Sequence, residues 1–152
     1  MVLSPPIFDF FSKQQFVIVN TLDKKGFSHV SCKGIVKIEK DKIHLLDLYR
    51  GNTYQNIKRN KKVSIVAVDG EKFRGYCLKG YAKILNINRK DKELLAAWDK
   101  NVARRLAQRI ISHIRKEKVS FYYPEASLPR PQFIYVVEVK EIIDLVPKTI
   151  LK

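Results

Sequence analysis

The chain has 152 residues, with 30 lysines and arginines against 15 aspartates and glutamates, and a formal net charge of +15. Its 45% of hydrophobic and 11% of aromatic residues exclude a disordered chain and suffice for one globular domain, 1–152, whose core needs no disulfides. No apolar run approaches the ~20 residues that cross a bilayer, and the first residues lack the basic start of a signal peptide. We therefore expect a cytoplasmic protein without a membrane partner. Its charge either attracts polyanions and phosphorylated small molecules or keeps a lysine-rich surface solvated.

Most of the chain is predicted to form strands, because short apolar or alternating runs are separated by turn residues. The predicted strands cover 16–21, 28–39, 43–49, 62–69, 76–85 and 132–146. The nearly continuous apolar run 62–69 is typical of a strand buried on both faces. Gly80, inside the fifth strand, indicates a bulge or a close approach of two backbones.

Two segments are predicted to be helical, a short one near 53–60 and a longer one near 91–118. The longer one carries apolar residues close to every 3.6 positions, with Asp99 or Asn101 as a possible start of a second helix. Its basic residues are expected on the opposite face: Arg104, Arg105, Arg109, Arg115 and Lys116. Six strands with hairpin turns and one long helix predict a mainly β protein, a small closed or nearly closed antiparallel barrel.

No self-sufficient catalytic or metal site is recognisable among the side chains. The three histidines have no partner at a metal-ligand spacing, and Cys32 and Cys77 have neither zinc nor redox spacing, so we interpret the cysteines as reduced thiols. Nucleophile-elbow, zinc-protease and glycine-rich phosphate-loop motifs are missing from the sequence. We expect no metal, and the sequence assigns no catalytic residue.

Residues 49–60, YRGNTYQNIKRN, follow a predicted strand and begin the short helix. The first turn of a helix leaves backbone N–H groups free and carries partial positive charge, which together attract an anion. Arg50 adds a planar fork of donors suited to phosphate, and Gly51 lets a ligand approach the backbone. Asn52 or Thr53 is the expected N-cap. The pattern fits either a phosphate site or an ordinary helix cap beside a surface arginine.

Four motifs follow one another along the chain: GFSHVSCKG (26–34), LYRGNTYQNIKRN (48–60), VSIVAVD (63–69) and FRGYCLKGYAKI (73–84). Their ordered set resembles the pyridoxamine 5′-phosphate oxidase-like, FMN-binding split-barrel family, well over about residues 12–85 and elsewhere only in layout. The resemblance implies a six-stranded antiparallel split barrel with Greek-key connections, and a homodimer that binds FMN in clefts between its subunits. The flavin itself would carry out hydride and electron transfer, which would explain why no catalytic side chains are recognisable.

The resemblance also implies which residues hold FMN. Those along the flavin ring would be Ser31, Cys32 and Lys33, the last within reach of the phosphate. Those at the phosphate end would be Tyr49, Arg50, Asn52 and Thr53, with further polar contacts from Arg74 and Lys79. Family members often have arginine and lysine in place of Asn52 and Thr53, and this chain lacks the C-terminal arginine motif that holds the vitamin phosphate. The departures favour a related FMN-dependent oxidoreductase or flavin carrier over vitamin oxidation itself.

Three alternatives stay open. A nucleic-acid-binding basic β-barrel would use the net charge, the aromatic side chains and the arginines of the long helix. A deazaflavin-dependent reductase would use a related barrel with a different cofactor. A structural dimer would keep the cleft without a ligand. In the flavin hypothesis, the proline-rich segment 122–133 is the expected loop that closes the partner subunit's site.

Overall fold

A computed structural model of the chain describes residues 1–88, 91–115 and 128–149. Its helices and strands are, in chain order, α1 Pro5–Ser12, β1 Val17–Leu22, β2 Ser28–Ile38, β3 Lys42–Asp47, α2 Asn52–Arg59, β4 Lys62–Asp69, β5 Arg74–Asn86, α3 Lys92–Ile114 and β6 Phe133–Asp144. The six strands and both helices predicted from the sequence are present. The predicted residues 116–118 of the long helix, and 122–127 of the proline-rich loop, lie outside the described residues.

The six strands close into one antiparallel barrel in the order β1-β2-β3-β6-β5-β4. Strands consecutive in sequence are neighbours except β3 and β4, which α2 connects. Alternate side chains point into the barrel because successive strand residues face opposite sides. The largest fully buried side chains there and under the helices include Tyr135, Phe11, Phe133, Ile43, Leu45 and Ile57. The predicted six-stranded antiparallel split barrel is confirmed.

Gly80 lies where two backbones come close, as its position within a strand predicts. The pairing of β5 with β6 shifts register between Lys79 and Gly80. A Cβ atom on Gly80 would lie 2.0 Å from the carbonyl oxygen of Glu138. This distance is far inside van der Waals contact, so a side chain fits only if the backbone of β6 moves.

The N-terminal helix α1 is absent from the sequence prediction. It begins with Pro5 and Pro6, which the first turn of a helix accepts because its N–H groups have no intrahelical partner. The helix is attached by aromatic contacts: Phe11 is fully buried, and the ring of Phe10 meets Tyr76 edge-on at a centroid distance of 5.1 Å. Packing against the barrel, rather than helix propensity, explains this element.

Helix α3 is continuous from Lys92 to Ile114, so the break considered near Asp99 or Asn101 does not occur. Trp98 is buried, whereas Ile110 and Ile114, which the same apolar spacing includes, are 42% and 72% exposed. Only the first part of the predicted apolar face therefore packs on the described part of the chain. Among the described helices, none combines the length and the apolar character needed to cross a bilayer.

Strand β4 is buried on one face only. Val63, Ile65 and Ala67 point into the core, but Val68 on the other face is 61% exposed. The prediction of burial on both faces is therefore wrong for a single chain. Val68 lies beside a row of apolar side chains on the outside of the barrel.

Candidate functional site

Two predicted site residues meet where β2 passes the start of α2. The hydroxyl oxygens of Ser31 and Thr53 lie 2.8 Å apart and share a hydrogen bond, and Thr53 is buried. One turn later, the side-chain amide of Asn56 donates to the hydroxyl of Thr21 on β1 at 3.0 Å. These polar contacts fix the first two turns of α2 against the barrel, so the direction of the helix start is defined by β1 and β2.

The first turn of α2 has no side-chain cap among the described residues. The helix starts at Asn52 after Gly51, which is the N-cap, and in the described parts of the chain no side-chain cap hydrogen bond is present. The expectation that Asn52 or Thr53 is the N-cap is therefore wrong. The physical reason is that the Thr53 hydroxyl bonds to Ser31 instead, while Asn52 is already helical. Uncapped N–H groups at a helix start are the donors that a phosphate needs.

Arg50 stands beside this helix start. Its side chain is exposed, and its guanidinium carbon lies 5.6 Å from the centroid of the Tyr54 ring, at cation–π distance. Tyr54 in turn packs edge-on against Phe133, with ring centroids 5.0 Å apart. The neighbouring Tyr49 is 65% exposed. The guanidinium of Arg50 thus lies at the ring of Tyr54, a residue of the first turn of α2, and the side chain is exposed to solvent.

Lys33 is engaged in a nearly buried ion pair. Its ammonium nitrogen lies 2.9 Å from Oδ1 of Asp47, and the two side chains are only 14% and 7% exposed. The second oxygen of Asp47 accepts a 2.7 Å hydrogen bond from the hydroxyl of Tyr135, and Oδ1 also accepts from the amide of Leu48. Burial and the neighbouring carboxylate raise the pKa of Tyr135 far above its usual range. The positive charge of Lys33 is therefore matched within the chain.

Asp47 is a site residue that the sequence analysis missed. A signal for it exists, because alternate residues of β3 are buried and Asp47 follows Ile43 and Leu45 on that buried face. A carboxylate in such a position needs a partner. The partner, Lys33, is on the neighbouring strand, and the sequence pattern does not identify it.

A cleft of about 270 Å³ opens between the middle of β2, the end of β3 and the helix α3. We call it the α3 cleft. Its polar lining includes three predicted site residues, Cys32, Lys33 and Tyr49, together with Asp47. From the helix come Trp98, Asn101, Val102 and Arg105. The prediction that Arg105 lies on the face opposite the apolar residues is wrong: it is seven positions after Trp98, which is two helical turns and hence the same face.

Arg74 and Lys79 do not join these residues within one chain. Arg74 is exposed at the start of β5, in a depression shared with α1. The ammonium nitrogen of Lys79 lies 3.5 Å from Oε2 of Glu141 in another depression, whose lining includes Lys62 and Lys140. The nine predicted site residues are therefore not all brought together within one chain: Ser31 contacts Thr53, three others line the α3 cleft, and Arg74 and Lys79 lie in two further depressions.

An apolar row crosses the outside of the barrel. Directly paired residues on neighbouring strands share a face, and the register sets five of them in line from β2 to β6: Cys32, Ile18, Val66, Cys77 and Ile143. We call this the outer row. Val30 and Val68 flank it and are 55% and 61% exposed. Both cysteines of the row are free thiols.

Known protein families and solved structures that are similar to this chain support the barrel fold. The family model described as pyridoxamine 5′-phosphate oxidase matches residues 3–123. A candidate pyridoxamine 5′-phosphate oxidase from Lactobacillus delbrueckii is similar in structure, with a TM-score of 0.63, 20% identity and coverage of 93% of each chain. No curated protein matches the chain significantly in sequence.

Two further solved structures share the fold. HutZ, the heme storage protein from Vibrio cholerae, is similar with a TM-score of 0.55, 16% identity and coverage of 94% of each chain. An F420 reductase is similar with a TM-score of 0.59 and 14% identity, over 93% of this chain and 98% of that one. Because the sequence identities are this low, the similarity to these two proteins shows a shared fold and no more.

Proposed function

Because the chain belongs to the pyridoxamine 5′-phosphate oxidase family, we propose that it binds FMN at the start of α2 and acts as an FMN-dependent oxidoreductase. The observation that carries the proposal is the uncapped first turn of α2, which Arg50 flanks and which Thr53 ties to β2. Free amides and an arginine fork are the donor set that a phosphate monoester prefers. The residues present therefore fit the phosphate end of the cofactor.

In this proposal each group of residues has its own task. Arg50 and the amides of the first turn of α2 bind the phosphate, while Ser31, Cys32 and Lys33 of β2 run along the ring. Since the charge of Lys33 is already paired with Asp47 at 2.9 Å, Lys33 lies along the ring as part of a neutral pair and does not bind the phosphate alone. The flavin, when bound, supplies hydride and electron transfer.

We further propose a homodimer that buries the outer row. Contiguous exposed apolar side chains on a protein surface mark interaction sites. The outer row spans five strands, and its flanking residues Val30 and Val68 are more than half exposed. Cys32 belongs both to this row and to the lining of the α3 cleft. A partner on this face would lie next to the cofactor residues of β2, and the proposal assigns Arg74 and Lys79 to the cofactor of the second subunit.

Other cofactors are alternatives within the same barrel, since one structural neighbour is an F420 reductase and another a heme storage protein. Nucleic acid binding is the alternative from another class. Arg104 and Arg115 are exposed on α3, as that alternative needs, but Arg105 lines the α3 cleft and interrupts the basic face.

The test is a visible absorption spectrum of the purified protein, taken before and after addition of FMN and extensive washing. Flavin bands that survive washing are the expected result. Parallel additions of F420 and of heme distinguish the alternatives, because each has its own visible spectrum. A protein that retains none of the three, but carries nucleic acid removable by salt, would overturn the proposal.

A further inference from the structure

The α3 cleft has apolar walls that the proposed phosphate site does not use. Below the polar residues of β2 and β3, its lining is formed by the side chains of Ile35, Val36, Leu46, Leu48, Trp98, Val102 and Leu128. Trp98 is only 9% exposed and offers the largest flat surface among them. A cavity of about 270 Å³ with such walls has the size and character of a pocket for a small organic molecule.

Arg105 enters this apolar cleft with an incomplete set of hydrogen bonds. The terminal nitrogen Nη2 donates to the backbone carbonyl of Gln15, and the same nitrogen lies 3.9 Å from the position that a Cβ on Gly34 would occupy. The Nε atom is buried and has no hydrogen-bond partner in the described part of the chain. A buried N–H of a guanidinium group without an acceptor is unfavourable, and an oxygen atom of a ligand would supply the missing acceptor.

The charges around the cleft favour a single negative charge on that ligand. Lys33 and Asp47 neutralise each other at 2.9 Å. Arg105 is the third charged residue of the lining, and none of the ion pairs between described residues includes it. The lining therefore has a net charge of one positive unit, which the anionic end of a ligand would match.

We propose that the α3 cleft binds a small carboxylate with an apolar or aromatic body, whose carboxylate accepts from Nε of Arg105 and whose body packs on Trp98. Calling this ligand the substrate of the oxidoreductase rests on the proposed function. The cleft shares Cys32, Lys33 and Tyr49 with the proposed cofactor site, so a molecule in it would lie beside the cofactor. Arg105 then selects acids over neutral molecules of the same shape.

The chain contains a single tryptophan, so its fluorescence reports on the cleft directly. Benzoate is the probe, benzyl alcohol is the uncharged control, and phenyl phosphate tests a dianion. We expect a saturable change of Trp98 fluorescence with benzoate. Benzyl alcohol should bind with an affinity at least roughly tenfold lower, because it cannot form the charge-assisted hydrogen bond. Tighter binding of phenyl phosphate than of benzoate would contradict the choice of a carboxylate.

Arg105→Gln should weaken benzoate binding roughly tenfold or more, and Arg105→Lys should retain part of it. The matched control is Arg104→Gln, which removes the same charge from the neighbouring, exposed position of α3 and should leave benzoate affinity unchanged. Equal benzoate and benzyl alcohol affinities in the unmodified protein, or no saturable response, would overturn the inference without any variant. FMN binding is measured separately on the same samples. If the protein binds FMN but shows no response to benzoate, this inference is wrong and the proposed function stands. If it binds benzoate but not FMN, the proposed function is wrong and the carboxylate site stands.

Discussion

Ser31 and Thr53 join β2 to the first turn of α2 through a hydrogen bond of 2.8 Å between their hydroxyl oxygens. The bond connects two segments that are 22 positions apart in sequence. It also explains why Thr53 does not cap its own helix, since its hydroxyl is already bonded to the neighbouring strand. The uncapped helix start, which the cofactor proposal needs, is thus a consequence of how α2 is attached to the barrel.

Thr53→Val keeps the shape of this buried side chain and removes its hydroxyl. We expect the free energy of unfolding to fall by about 1 kcal/mol, because Ser31 loses its partner, and FMN affinity to fall because the helix start is less rigidly directed. Urea denaturation and FMN titration measure the two effects. Ser31→Ala and the double variant Ser31→Ala with Thr53→Val complete a double-mutant cycle. If the losses in unfolding free energy of the two single variants simply add up to that of the double variant, the two hydroxyls are not coupled.

Arg50→Ala should weaken FMN binding roughly tenfold to a hundredfold, since it removes a charge-assisted contact to phosphate. The fold should be unchanged because the side chain is exposed. Lys58→Ala is the matched control, as it removes one exposed positive charge from the last turn of the same helix. Equal FMN affinities of the two variants would show that overall charge, rather than Arg50, recruits the cofactor.

Lys33→Met leaves the nearly buried carboxylate of Asp47 without its ammonium partner. We expect a loss of roughly 3 kcal/mol in the free energy of unfolding, the usual cost of breaking such a pair from one side. The double variant Lys33→Met with Asp47→Asn removes both charges and keeps an acceptor for the Tyr135 hydroxyl, so it should be more stable than Lys33→Met alone. Thermal and urea denaturation of both proteins measure this. A double variant no more stable than the single one would contradict the importance of the ion pair.

Val68→Asp introduces a charge beside the outer row, where the side chain is 61% exposed in one chain. If the outer row is the homodimer interface, the variant should be a monomer by light scattering and should bind FMN more weakly. Phe27→Asp is the control, because Phe27 is 69% exposed at the hairpin between β1 and β2, away from the row. A Val68→Asp variant that keeps the mass of the unmodified protein would place any interface elsewhere.

The strands were predictable because their signal is local. Alternation of apolar residues is read over a few neighbours, and Gly80 interrupts it where β5 shifts against β6. Helix α1 was not predictable in the same way, since Pro5 and Pro6 are tolerated only because they lie in a first turn. Its stability comes from aromatic contacts with Tyr76, which is far away in sequence.

The elements of the candidate site were predictable in part. The start of α2 after Arg50 follows from a short motif, because helix termini have the same donors in every protein, and its use as a phosphate site stays a prediction. Arg105 could have been assigned to the face of Trp98 and Val102 from helical spacing, but not to a cleft, since that depends on where α3 packs. Ile110 and Ile114 are exposed for the same reason, because the apolar spacing of a helix does not indicate which of its turns pack against the barrel.

By itself, then, the sequence determined the six strands and the two predicted helices, because each depends on residues close together in the chain. Only the tertiary structure decided that Lys33 pairs with Asp47, that Thr53 bonds to Ser31 and that Arg105 enters the α3 cleft. These contacts depend on the order of the strands and the packing of the helices. They join residues whose separation in sequence leaves no local pattern to detect.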